Sequence, residues 1–492
     1  MTETPILRII PGREDQQVSL TGVYLITDQQ DHLVERVTAA LRGGVCALQY
    51  RYKGGAGNDP LTEAQKLREL TRSFGVPFII NDSIELARLV QADGVHLGQE
   101  DGTVAEARQQ LGSRAIIGVS THTLAEALKA QADGASYIGF GAMYPTGSKE
   151  VTYMPGTQGL AEVRAAISIP IIAIGGITPT NASRVIDAGA DGIAVISAVL
   201  NAPRPDIAVA ELRLIANRRL PFPRGGVLSI AGSDCGGGAG IQADLKVITL
   251  LGSYAATAIT ALTIQNTTGV KGIHAIPPSC IADQIEAVIS DIPIDVIKTG
   301  MLHTPAVTAM LAEYLHGLPR LIPTVIDPVM VAKGGASLLA REAVQLFCSE
   351  LLPQTYLLTP NIPEAEQLLD RPITTVHDME QAARDLSALG AARVLIKGGH
   401  LSGTNAIDVL FDGTHIHHFS SERIATMATH GTGCSYASAI AAFLSQGEPL
   451  VIAVSRAKQF ITQAIRNARP MGKGHGPINH YLAAKECTHD PA

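Results

Sequence analysis

Eight short β-branched or apolar runs, separated for the most part by helix-compatible segments, fill the first half of the chain: VYLIT (23–27), VCALQY (45–50), PFII (77–80), GVHLG (94–98), AIIGV (115–119), YIGF (137–140), PIIAI (170–174) and GIAVI (192–196). The phrase Ala-Asp-Gly, beginning at 92, 132 and 190, stands ahead of a strand each time, the mark of a repeated turn that ends one helix and opens the next strand. Eight βα units in about 200 residues is the arithmetic of a (β/α)8 barrel. A doubly wound open sheet shares the alternation, because periodicity does not register closure.

The whole chain has 492 residues, more than one such domain holds, so a second large unit is expected. NRRLPFPRGG (217–226) carries two prolines and two glycines between a helical stretch and the fresh strand VLSI. The expected division is a barrel over 20–217, a linker over 218–226 and a second unit over 227–485. In that unit VLSI (227–230), DVIKTG (295–300), TVIDPV (324–329), YLLTPN (356–361) and RVLIKGG (393–399) alternate with helical stretches, without eight clean units. An open, mostly parallel α/β sheet between helices follows.

Composition narrows the function. Lys and Arg total 38 against 45 Asp and Glu, with no long run of one sign, so neither a nucleic-acid binder nor a basic membrane-surface protein is indicated. The six cysteines form no CxxC pair, and neither disulfides nor a zinc site is suggested. Apolar runs break well before ~18 residues, and MTETPILRIIPGRED lacks a basic segment followed by an apolar one. A cytoplasmic protein is expected, and a homo-oligomer is the default because both kinds of domain often self-associate.

In a βα barrel the chemistry sits at the carboxyl ends of the strands, and those ends are polar here. Gln49, Arg51 and Lys53 alternate onto one side, which suits a phosphorylated ligand. Asn81-Asp82 and Gln99-Glu100-Asp101 place carboxylates after neighbouring strands, hard oxygen donors of the kind Mg²⁺ takes. Ser120 ends the fifth strand, Thr146-Gly147-Ser148-Lys149 follow the sixth, and Gly175-Gly176 and Ile196-Ser197 end the last two, where such barrels often bind phosphate. Each has an ordinary reading as a cap or a turn; their joint placement on successive strand ends argues for a site.

In their order, QYRYK, ND, GQED, GVSTH, YPTGSK, IGGI and AVIS resemble thiamine-phosphate synthase across residues 20 to 217. The resemblance implies that Gln49, Arg51, Lys53, Asn81, Ser120 and Lys149 hold an aminopyrimidine diphosphate, and that Asp82 and Asp101 bind Mg²⁺. It gives Thr146, Ser148, Gly176, Ile196 and Ser197 to the thiazole phosphate or the product. Arg51, Ser120 and Lys149 are the expected catalytic groups on this half.

The second unit carries two glycine-rich turns. Ser233-Asp234-Cys235-Gly236-Gly237-Gly238-Ala239-Gly240 joins a strand to a helix, yet it is neither a Walker A loop nor a clean GxGxxG. Thr429-His430-Gly431-Thr432-Gly433-Cys434 opens an apolar helix, where backbone N–H groups can converge on an anion. With TALTIQNT, KTGML, DPVM, TPNIPEA and IKGGH these turns resemble the hydroxymethylpyrimidine and hydroxymethylpyrimidine-phosphate kinases of the ribokinase-like superfamily, over about 226 to 485. The resemblance implies ATP as co-substrate and a pyrimidine pocket lined by Asp244, Gln265, Met301 and Val329, with Gly232 against it. It also implies an anion hole of Gly431, Thr432 and Gly433, Cys434 at the catalytic position, Lys397 near the nucleotide phosphates and Asp327 as an Mg²⁺-side carboxylate. A helix N-terminus can lower a thiol pKa and so favour proton acceptance by Cys434. His417-His418 and Gly474-His475-Gly476 receive no role.

The resemblances together imply a bifunctional thiamine-biosynthesis enzyme acting on small phosphorylated pyrimidine and thiazole substrates. Two rivals stand beside it: a pyridoxal kinase fused to a thiazole-tautomerase-like barrel, and a thiamine-phosphate-binding sensor.

Overall fold

A computed structural model of the chain describes residues 20–54, 59–147, 153–329 and 341–488. Strands β1 (Gly22–Ile26), β2 (Ala47–Tyr50), β3 (Phe78–Asn81), β4 (Gly94–Leu97), β5 (Ile116–Thr121), β6 (Tyr137–Gly141), β7 (Ile171–Ile174) and β8 (Gly192–Val195) pair in parallel, each with the next and β8 with β1. Closure leaves no sheet edge, decides against the doubly wound alternative and gathers every strand's carboxyl end on one rim. These strands read as apolar runs because both faces are buried. Tyr24, Ile79, Tyr137 and Ile172 fill the barrel interior, while Val23, Leu48, Phe78 and Ile193 pack under the surrounding helices.

The second sheet has nine strands: β9 (Gly226–Asp234), β10 (Tyr254–Asn266), β11 (Gly269–Ala275), β12 (Val296–Thr299), β13 (Thr324–Ile326), β14 (Leu357–Leu358), β15 (Arg393–Ile396), β16 (Asn405–Phe411) and β17 (Ile416–Glu422). Their order is β11-β10-β9-β12-β13-β14-β15-β16-β17, parallel from β10 to β15 and antiparallel at both flanks. The five runs read from the sequence form the parallel centre. The flanking β10, β11, β16 and β17 are rich in Ala, Thr, Ser and His and are largely half-buried or exposed, so they lack the apolar run that marks a buried parallel strand. Among the described residues no helix is long and apolar enough to cross a membrane.

The two sheets meet through the helix Pro205–Ile215, which continues into the 3-10 turn Ala216–Arg219. Val209, Leu212 and Ile215 pack into the barrel's core, whereas Ile207 and Leu214 pack with Val227, Val247 and Phe443 of the second unit. Polar contacts reinforce the seam. Glu211 accepts from Tyr356 Oη at 2.9 Å and pairs with Arg393 at 3.1 Å. Asn217 donates to the Ser445 carbonyl at 2.9 Å, and the Leu321 N–H donates to the Arg42 carbonyl at 2.7 Å. Tyr356 and Arg393 stand at the amino-terminal starts of β14 and β15, and Ser445 ends the helix Thr432–Ser445. The barrel therefore docks against the amino-terminal edge of the second sheet, and that sheet's carboxyl ends point away from it.

A shared helix makes a definite prediction. Leu214→Ala removes a buried contact to the second unit without changing a residue of any strand, and is expected to destabilise the chain by about 2–5 kcal/mol. Chemical denaturation should show the midpoint fall; an unchanged midpoint would contradict the packing described.

Candidate active sites

The barrel's rim brings residues from neighbouring strands together. Gln49, next to last in β2, is almost fully buried and donates its amide to Asn81 Oδ1, at the end of β3. Arg51 follows on, its N–H held by Thr27 Oγ1 at 2.9 Å, while its buried Nη1 has no partner among the described residues. A buried cationic N–H without an acceptor among the described residues suits an anionic ligand. Lys53 stands further out, exposed. Asp82 follows Asn81 with φ at 65°, and Asp101, in the loop after β4, accepts the Gly98 N–H at 2.8 Å.

Ser120 is the outer end of a buried hydrogen-bonded chain that sequence reading missed. Its hydroxyl meets His96 Nε2 at 2.9 Å, His96 Nδ1 meets Tyr137 Oη at 3.0 Å, and Tyr137 Oη meets Tyr24 Oη at 2.7 Å. Burial pushes both phenols up, so they stay neutral and act only as hydrogen-bonding groups. Glycine on β5 makes room for the chain: a Cβ on Gly118 would lie 2.2 Å from Tyr137 Cζ and 2.5 Å from His96 Nδ1. The only signal in the sequence is a histidine alternating inward between Val95 and Leu97.

Gly176, Ile196 and Ser197 close the rim after β7 and β8. Gly176 has φ of 62°, its carbonyl accepts from Asn181 at 2.9 Å, and a Cβ there would strike the Pro145 carbonyl at 2.4 Å. Ile196 precedes the short helix Ser197–Leu200, and Thr146 lies in the loop after β6. Ser148 and Lys149 lie outside the described residues.

In the second unit a pocket of about 510 Å³ opens at the carboxyl ends of the strands. Gly232, Gln265, Met301, Val329, Lys397, Gly431, Thr432, Gly433 and Cys434 all line it. Gly232 lies directly against Met301, whose Cε would be 2.4 Å from an added Cβ. Gly431, with φ of 79°, precedes the helix Thr432–Ser445, whose first N–H groups lack intrahelical acceptors and face the pocket end. Lys397 Nζ pairs with Asp327 at 2.6 Å. Glu364 adds a further carboxyl to the wall, pushed up to about 7 by burial and the neighbouring Asp327, against the pull of Lys397.

Two expectations change. Asp244 does not line the pocket: it is wholly buried, holding Lys298 Nζ at 2.9 Å through both oxygens and accepting from Ser229 at 2.6 Å and Ser438 at 2.7 Å. Its charge is the counter-ion of Lys298, itself buried, which sequence reading left without a role. The Cys434 thiol is also not lowered. Burial pushes it up to about 11, with Asp327 and Asp244 adding to the rise and Lys298 opposing it. Desolvation thus outweighs the helix terminus. At pH 8 only roughly 0.1% is thiolate, so alkylation of Cys434, read by peptide mass, should climb about tenfold per pH unit from 7 to 10. A plateau near pH 8 would contradict the burial.

Comparison with known proteins covers both halves. The family model for thiamine monophosphate synthase matches residues 23–199, and that for phosphomethylpyrimidine kinase matches residues 234–479. The thiamine biosynthesis bifunctional protein ThiED of Geobacter sulfurreducens is 55% identical over 484 residues, 98% of each chain. The hydroxymethylpyrimidine/phosphomethylpyrimidine kinase of Bacillus subtilis is 44% identical over 257 residues, 52% of this chain and 94% of its own. A crystal structure of the B. subtilis pyridoxal kinase with ADP aligns at a TM-score of 0.49 and 39% identity, over 52% of this chain and 97% of its own. With the barrel and the kinase-type pocket on one chain, and a relative that matches it from end to end, the protein belongs to the family of bifunctional thiamine-biosynthesis enzymes, with a thiamine-phosphate synthase domain followed by a hydroxymethylpyrimidine and phosphomethylpyrimidine kinase domain.

Proposed function

We propose that the kinase domain, over 227–485, phosphorylates 4-amino-5-hydroxymethyl-2-methylpyrimidine and then its monophosphate with ATP. The barrel, over 20–217, joins the resulting diphosphate to thiazole phosphate. In that second reaction a bond forms between the pyrimidine methylene carbon and the thiazole nitrogen, the methylene C–O bond breaks, and diphosphate leaves with the bonding pair. The observation that carries the reading is the buried Arg51 Nη1, without a partner among the described residues, beside Gln49 and Asn81, a preformed place for an anionic leaving group.

Residue roles follow from chemistry and position. Arg51, Lys53 and Lys149 balance charge on the departing diphosphate, Gln49, Asn81 and Ser120 orient the pyrimidine, and His96 fixes the Ser120 hydroxyl. Thr146, Ser148, Gly176, Ile196 and Ser197 serve the thiazole phosphate or the product. Asp82 and Asp101 are the residues to hold Mg²⁺; their all-oxygen donor set suits it, and the ion supplies positive charge against the diphosphate oxygens. In the kinase pocket, Gln265, Met301 and Val329 contact the pyrimidine and Lys397 the nucleotide phosphates. The turn Gly431–Gly433 receives the transferring phosphoryl. A Cys434 thiolate, once formed beside Lys298, is a strong base toward the substrate hydroxyl because its affinity for a proton is raised.

The test is a single reaction containing the purified protein, Mg²⁺, ATP, hydroxymethylpyrimidine and thiazole phosphate, with products read by mass. ATP-dependent thiamine phosphate is expected. Pyrimidine diphosphate that accumulates without it would overturn the barrel's assignment, and absence of any phosphorylated pyrimidine would overturn the kinase's. Cys434→Ala should lower kinase turnover at least a hundredfold while synthase activity on supplied pyrimidine diphosphate persists; comparable loss of both in a folded variant would contradict the division of labour.

A further inference from the structure

The kinase pocket has two glycine-rich turns, and their backbone N–H groups have different occupations. In the first, the Asp234 carboxylate accepts the Gly236 N–H at 2.8 Å, the Gly238 N–H at 3.0 Å and the Ala239 N–H at 2.8 Å. Donors that would face phosphate in a nucleotide-binding loop are here turned onto a side chain of the same loop, so this turn is not the phosphate cradle. The same carboxylate reaches across to His430 Nε2 at 3.0 Å, a residue 196 positions away and next to Gly431. Burial works against the charge on Asp234, yet bonds from His430, Gln265, Gly236 and Ala239 hold its carboxyl well below the usual range, so it remains ionised.

The turns also touch through their backbones. A Cβ on Gly431 would lie 1.8 Å from the Gly238 carbonyl oxygen, and one on Gly238 would lie 2.6 Å from His430 Cδ2. Behind them the His430 N–H donates to the Gly476 carbonyl at 3.0 Å. The anion-binding turn therefore rests on the first glycine loop, and the hydrogen bond between His430 and the Asp234 carboxylate locks the contact.

We infer that Asp234 and His430 form a clasp that positions the Gly431–Gly433 turn for phosphoryl transfer, with the first glycine loop as its rigid support. Neither residue is a catalytic group. The inference rests on Gly431–Gly433 being the turn that receives the phosphoryl, and misplacing such donors by a fraction of an ångström weakens them in the transition state more than in the ground state. The clasp therefore acts on kcat.

Hydroxymethylpyrimidine phosphorylation is measured in the full-length wild type, His430→Ala, His430→Gln and Asp234→Asn, with the thermal transition and synthase activity as checks on folding. His430→Ala should lower kcat at least tenfold and leave KM for the pyrimidine within about threefold. His430→Gln should recover most of the loss, because its amide can still donate to Asp234. Asp234→Asn keeps the shape but loses the charge and turns an N–H toward the loop's donors; it should lose kcat in the same way. A folded His430→Ala or Asp234→Asn with kcat within twofold of wild type would overturn the clasp, as would a loss confined to KM or a His430→Gln no better than His430→Ala. Should His430→Ala fail to fold, Asp234→Asn alone decides. A wild type that phosphorylates no pyrimidine would instead defeat the kinase reading on which the clasp rests.

Discussion

One helix with two apolar faces decides how this molecule works. Pro205–Ile215 gives Val209, Leu212 and Ile215 to the barrel and Ile207 and Leu214 to the kinase core. Because both faces are buried, neither domain can turn on the other without exposing apolar surface. The helix meets the kinase sheet at its amino-terminal edge, whereas the kinase pocket opens at the carboxyl end, beyond the helix Thr432–Ser445. Fourteen residues at 1.5 Å each put about 21 Å between that pocket and the seam. Among the described residues, those that line the kinase pocket all belong to the second unit.

In the function proposed above, the two pockets handle phosphate differently. The barrel rim relies on a cation, Arg51, whose buried nitrogen is left for the ligand. The kinase keeps its buried cations paired: Lys298 with Asp244, and Lys397 with Asp327. Anion recognition there falls to backbone N–H groups at a helix start, which carry no charge to be neutralised between turnovers. Breaking a buried pair from one side leaves an uncompensated charge, so Asp244 and Lys298 behave as core structure although they lie close behind the catalytic turn.

Much of this was legible in the sequence, for identifiable reasons. The eight runs matched β1 to β8 because a barrel strand buried on both faces reads as a largely apolar run. The flanking strands of the second sheet were hidden because their alternating or polar residues lack a continuous apolar run. Tertiary partners were hidden too. His96 reads as a core histidine until Tyr137, 41 residues on, appears beside it, and Asp234 reads as a turn residue until His430 folds back to it. Asp244 was placed in the pocket by the family resemblance alone; its pairing with Lys298 is tertiary and left no mark in the sequence.

The central claim is that one chain carries two separate active sites, a synthase site in the barrel and a kinase site in the second domain. The most direct measurement mixes two single-site variants, Cys434→Ala and Arg51→Ala, with ATP, Mg²⁺, hydroxymethylpyrimidine and thiazole phosphate. Each alone should make no thiamine phosphate, and the mixture should make it at a rate set by the amount of the limiting variant. A mixture that stays inactive, while each variant retains its own remaining activity, would contradict the account.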